Sequence, residues 1–125
     1  MSVSLNAILA TASAVSLLAF PLQLNAHHGL DFYDTSELVE IDGKVIDFEL
    51  STPHSFLYVE TIDTEGNIKK WEIEGGAASG IAKAGLTKTF LATKPSVKIK
   101  AFQSKDKYCY PTCKAAGRDF EFEKP

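Results

Sequence analysis

The stretch Ser55–Glu74, SFLYVETIDTEGNIKKWEIE, decides the fold. Ser55–Ile62 is rich in aromatic and β-branched residues, Asp63-Thr64-Glu65-Gly66-Asn67 is a turn signal, and Ile68–Glu74 carries Ile68, Trp71 and Ile73. Two such runs around a glycine-bearing turn read as a β-hairpin. Upstream, Glu37–Phe48 (ELVEIDGKVIDF) reads as one long curved strand, with Gly43 at a bulge or bend. Downstream the chemistry changes. Gly75–Gly85 (GGAASGIAKAG) is small and Ala-rich, with Ser79 and Gly80 near the start of a short helix that Gly85 stops. Thr87 is placed to cap a second turn running to Leu91. Ser96–Phe102 (SVKIKAF) alternates cleanly, and Asp119–Glu123 (DFEFE) alternates again.

The order strand, strand, strand, helix, strand, strand predicts a mainly β fold: a small five-stranded OB-like barrel with one short helix between strands three and four. Closure of the barrel removes sheet edges that would otherwise pair with other chains. A curved sheet or sandwich, with the helix across one end, is the competing arrangement.

Ahead of the strands, Asn6–Leu22 (NAILATASAVSLLAFPL) reads as the apolar core of a secretory signal peptide, although MSVSLN before it carries no Lys or Arg. The run is interrupted by Ser and Thr, is ended by Pro21, and falls short of the roughly 20 apolar residues of a membrane span. The expected layout is a cleaved signal at 1–26 and one small barrel domain at 27–125, with export to the periplasm or medium. An uncleaved anchor is the competing reading. No stable membrane span is expected after cleavage.

The net charge of −3 lies wholly in residues after the apolar run and argues against nucleic acid, which demands a basic patch. Lys94, Lys98, Lys100, Lys105 and Lys107 cluster late but are interleaved with apolar residues, as on a solvated strand face. The two cysteines, Cys109 and Cys113, sit in Tyr-Cys-Tyr-Pro-Thr-Cys. In an oxidising compartment the simplest reading is a local disulfide that stiffens one hairpin. A thiolate metal site or redox pair is the alternative, but the spacing is not C-x-x-C and no further thiolate exists to complete a zinc site.

The sharpest chemistry lies with the three histidines, His27, His28 and His54. A cut after Ala26 would give His27 a free amine as well as an imidazole, a chelate suited to Cu(II). Its amine titrates near neutrality, so it is a usable nitrogen ligand. His54 lies in Ser51-Thr52-Pro53-His54-Ser55, where Pro53 stiffens the turn between the first two strands. It is placed to supply an opposing nitrogen, in the arrangement known as a histidine brace, with His28 available beside it. A chain starting at Ala26 offers instead a tail chelate through amine, amide and His28. The bland alternative is a flexible arm and a turn histidine bonded to backbone. Asp31, Asp34 and Glu37 follow closely enough to act as supporting groups, or simply to solvate a loop.

Glu72 and Glu74 share one strand face, which permits acid–base work without identifying any. Ser55 and Ser79 have no local base, so nucleophilic catalysis finds no support. Gly75-Gly76 lacks the Lys and Ser or Thr of a phosphate loop. Among the aromatics, Phe56, Tyr58 and Trp71 are candidates for a ligand groove, with the barrel core as their alternative place.

His27-His28, then Phe32-Tyr33-Asp34 and Gly43-Lys44-Val45, together with Thr52-Pro53-His54-Ser55, Tyr58-Val59 and Trp71-Glu72-Ile73-Glu74-Gly75-Gly76, resemble a family of small exported bacterial proteins of unknown function, DUF6152. The likeness runs from about Ala26 to Leu91. It implies export and this domain layout and lends no reaction. The family pattern has Asn in place of Thr52 and Arg-Arg-Gly-Trp in place of Lys83-Ala84-Gly85-Leu86, and its closing strands carry no cysteines. The resemblance therefore marks Cys109 and Cys113 as a local elaboration. All three histidine positions are kept. The expected function is that of an exported small binding protein, not an enzyme, holding copper through His27 and His54. The alternative is a metal-free envelope module whose partner is a protein, peptide, glycan or other small ligand.

Overall fold

A computed structural model describes residues 28–123. The expected signal segment 1–26 and His27 lie outside the described residues. A short helix α1 (His28–Asp31) leads into five strands: β1 (Val39–Glu49), β2 (Phe56–Ile62), β3 (Ile68–Glu74), β4 (Ser96–Gln103) and β5 (Cys113–Phe122). Helices α2 (Ala78–Lys83) and α3 (Lys88–Ala92) connect β3 to β4. The strands close as β1-β2-β3-β5-β4, with β3 and β5 parallel and every other pair antiparallel. This is the OB-like barrel that the element order predicts.

The hairpin is in register from Phe56↔Glu74 to Ile62↔Ile68. Alternation sends Leu57, Val59, Trp71 and Ile73 inward, where they join Ile41, Val45, Leu91, Val97, Ile99 and Ala101 in one core. Asp63 closes the turn by accepting from the backbone N–H groups of Glu65 and Asn67. Gly66 takes the positive φ of 84° that the turn demands.

Gly43 does something other than mark a bulge. β1 pairs with β4 through Val39–Lys44 and with β2 through Lys44–Glu49, so Gly43 sits where the strand passes from one partner to the other. A Cβ there would run into the Glu60 carbonyl and come within 2.9 Å of Val59 and Thr61 side-chain carbons. The irregular register falls later, between Val45 and Asp47. Gly43 thus permits close approach, and the bulge is a separate feature. β5 also begins six residues before the expected Asp119. Ala115 and Ala116 are buried and Gly117 lies under the Phe120 ring, so small size rather than β propensity marks this half of the strand.

The helical connection divides as the sequence suggests. Gly85 has φ of 84°, and the Thr87 hydroxyl caps α3 by accepting from Phe90 N–H at 3.1 Å. α3 anchors itself through buried Leu91, whereas α2 buries none of its residues. Cys109 and Cys113 form a disulfide in the β4–β5 loop, and Cys113 opens β5 opposite Trp71. No helix among the described residues is long and apolar enough to cross a membrane.

Candidate functional site

The site begins with the turn between β1 and β2. Ser55, almost fully buried, donates from its hydroxyl to the Ser51 carbonyl at 3.1 Å and accepts from Ser51 N–H at 3.2 Å. The Ser51 hydroxyl donates to the His54 carbonyl at 2.6 Å. Ser55 N–H bonds to the Gly76 carbonyl and Gly75 N–H to the Ser55 carbonyl, at 2.9 and 2.8 Å, which ties the turn to the end of β3. The Thr52–Pro53 peptide inside the turn is cis. His54 follows on the outward-facing parity of Phe56, and Phe56 is paired with Glu74. The imidazole therefore reaches across the hairpin, and its Nδ1 lies 3.2 Å from Glu74 Oε1.

The other Glu74 oxygen is engaged from the N-terminal arm. Tyr33 bridges to Ser104, Asp34 N–H donates to the Gln103 carbonyl at 2.8 Å, and Lys105 N–H donates to the Phe32 carbonyl at 2.9 Å. These bonds dock the arm on the end of β4 and aim Tyr33 inward. Its phenol donates to Glu74 Oε2 at 2.6 Å. Burial first, then the hydrogen bond and negative charge of Glu74, push the Tyr33 phenol far above its ordinary range. It stays protonated and donating.

The result is a chain of three side chains, phenol to carboxylate to imidazole, assembled from the arm, β3 and the first loop. Glu74 is 17% exposed and His54 45%. The carboxylate is held and the imidazole is presented. With Nδ1 turned to the carboxylate, Nε2 is the ring nitrogen left for another partner, the orientation that carboxylate–histidine pairs impose on metal-binding histidines. The arm also returns to this point at Gly29, where a Cβ would lie 3.8 Å from both His54 Cε1 and Glu74 Oε1. A groove of about 500 Å³ runs past His54, between Gly29 and Leu30 on one side and Gly75, Gly76 and Arg118 on the other.

The remaining candidates fall in different places. His28 opens α1, one residue before Gly29, so the arm brings its backbone near His54. Phe56 and Tyr58 stand half-buried on the outer face of β2. Trp71 is in the core, only 7% exposed, with Lys69 Nζ over its ring. Glu72 shares the outer face with Glu74, as expected, but turns towards Lys114 Nζ at 3.9 Å. Asp34 is not beside His54; it accepts from Ser36 and pairs with Lys107 at 3.5 Å. The group that supports His54 is Glu74, and the signal for it was the hairpin register. Among the described residues, no three His, Cys, Asp or Glu side chains gather to hold a metal.

Fold and geometry together define the class: a small closed OB-like barrel whose first loop presents a carboxylate-anchored histidine beside a docked N-terminal arm. The sequence profile of a family of unknown function, DUF6152, matches residues 14–110, and the chain belongs to that family. The matched span takes in all three histidines, Tyr33 and Glu74, and stops ahead of Cys113 and β5. No curated protein and no solved structure matches the chain.

Proposed function

We propose that the protein is an exported small binding protein, periplasmic or secreted, that takes up copper through His54 and the amine and imidazole of a mature N-terminal His27, with His28 beside them. It is not itself an enzyme in this reading. The observation that carries the proposal is the His54–Glu74–Tyr33 chain next to Gly29. A surface histidine with no ligand role needs no buried tyrosine to hold its carboxylate partner. Gly29 is two residues from His27, and two residues span at most about 7 Å, a reach that supports a shared site with His54. Three nitrogen donors suit Cu(II) among the divalent first-row metals.

Isothermal titration of Cu(II) into protein beginning at His27 tests this. One ion per chain is expected. His54→Ala should weaken binding at least about tenfold, the order expected from loss of one coordinating or outer-shell group. Protein retaining one residue before His27 should lose affinity similarly, because the amine then moves away from the imidazole. Unchanged affinity in His54→Ala would sink the brace and leave only a chelating tail.

The metal-free reading draws on a different observation. Phe56 and Tyr58 on the outer face of β2, with exposed Phe32, Tyr108 and Tyr110, surround the face and loops that OB-type barrels use for extended ligands. A protein, peptide or glycan partner would stack there with no metal, and Tyr58→Ala would then reduce its binding while His54→Ala would not.

A further inference from the structure

The other side of Gly75–Gly76 is apolar. Between α2, α3 and β5 lies an open cleft of about 900 Å³ bounded by Ile81, Leu86, Phe90, Phe120 and Phe122. It narrows into an apolar recess of about 60 Å³ that ends on Leu57, Ile73 and Leu91. The two spaces share the walls Gly76, Ile81, Leu86, Phe120 and Phe122, so one continues into the other. The roof is loosely seated: α2 buries none of its residues, and Gly76, Gly80 and Gly85 leave open space where side chains would stand. A folded barrel ordinarily fills such a recess with its own side chains.

At the mouth stands Arg118, which lines both this cleft and the groove beside His54. Its guanidinium rests 5.7 Å from the centroid of the Phe102 ring and has no ion-pair partner among the described residues. Asp119 also borders the mouth, so the cation is a single directed donor and not part of a broad positive field. A tapering apolar cleft with one guanidinium at its rim has the chemistry of a site for a single-chain amphiphile with an anionic head. We infer that this cleft binds a free fatty carboxylate, its chain between α2 and β5 and its head on Arg118. This site is separate from the proposed copper ligands and stands whether or not copper binds.

The test is calorimetric titration of dodecanoate, kept below its micellar range, with EDTA present. Dodecyltrimethylammonium and phosphatidylglycerol vesicles are run in parallel. Dodecanoate is expected to saturate at one per chain, with the cationic amphiphile at least about tenfold weaker. Arg118→Ala, an exposed position, should weaken dodecanoate about tenfold while leaving the melting temperature in place. Ile81→Trp should block the cleft. Equal binding of the two amphiphiles, unchanged affinity in Arg118→Ala, or no binding of dodecanoate would each overturn the proposal. Capture by vesicles in place of free dodecanoate would overturn it in favour of a membrane-facing surface.

Discussion

The two sides of the Gly75–Gly76 dipeptide are built on opposite principles. On the His54 side, direction is set by polar contacts: Ser55 donates to Ser51, Tyr33 donates to Glu74, and His54 Nδ1 lies against the other Glu74 oxygen. On the α2 side the roof is tied through backbone and not through oriented side chains. α2 lacks a side-chain cap, and its link to the barrel includes Ala78 N–H on the Ser51 carbonyl at 3.0 Å. The contrast teaches that the hairpin end serves as a frame on both sides while loading them differently. One side holds a polar group in a fixed orientation, and the other leaves apolar surface incompletely covered. Hydrogen bonds buy orientation, and loose packing leaves volume.

The largest effect expected within this contrast comes from comparing the two helices. Leu91 is 2% exposed and closes the floor of the recess, so Leu91→Ala should cost about 2–5 kcal/mol. Ile81 is only partly buried on α2, and Ile81→Ala should cost less than about 1 kcal/mol. Thermal melts of the two variants decide the matter. A drop for Ile81→Ala as large as that for Leu91→Ala would show that α2 is a full member of the core and not a loose roof.

The polar side predicts coupling rather than bulk loss. Glu74→Ala strands the buried Tyr33 hydroxyl without its acceptor, at about 1–3 kcal/mol. Tyr33→Phe removes the donor and leaves Glu74 its imidazole partner, so it should cost less. In the double variant the penalties should fall short of their sum by on the order of 1 kcal/mol. Denaturant unfolding of the four proteins measures this. Strict additivity would mean that Tyr33 packs the arm without orienting Glu74. His54 would then lose the support on which its proposed role as a ligand depends.

Much of the frame was legible in the sequence because alternation and turn chemistry are local. Ser55–Glu74 gave the hairpin and its turn, Thr87 the cap of α3, and the element order the barrel. The first half of β5 was not legible: Ala115, Ala116 and Gly117 are selected by close packing under Phe120 and against Ile73, which no local pattern encodes. The bulge offered for Gly43 falls between Val45 and Asp47, and Gly43 itself answers a clearance requirement set by Glu60 on another strand. The site divides the same way. His54 was visible as a histidine on a stiff turn, and Glu74 as an outer-face carboxylate. Their meeting depends on the register Phe56↔Glu74. Tyr33 enters only because the arm docks on Gln103, Ser104 and Lys105, a contact between distant segments.

The smallest prediction concerns that docking. Asp34 accepts from the Ser36 hydroxyl and backbone N–H and faces Lys107, and these hold its carboxyl below the usual range, the Ser36 bonds contributing most. A carboxylate whose folded pKa lies below its unfolded value, about 4, adds stability that is fully present above that value. The contribution is lost as pH falls through the depressed folded value. Asp34→Asn should therefore melt slightly below the parent at pH 7, and the gap should close as the pH is lowered below about 4. Because both Asp34 and Lys107 remain open to solvent, the gap should shrink in high salt as well. The same variant reports on the site without touching it. If the arm is fixed mainly by its backbone bonds to Gln103 and Lys105, copper affinity should survive Asp34→Asn unchanged. If affinity falls with the melting temperature, the Asp34–Lys107 contact is what keeps Gly29 against His54, and the polar side owes its geometry to a surface charge pair as much as to Tyr33.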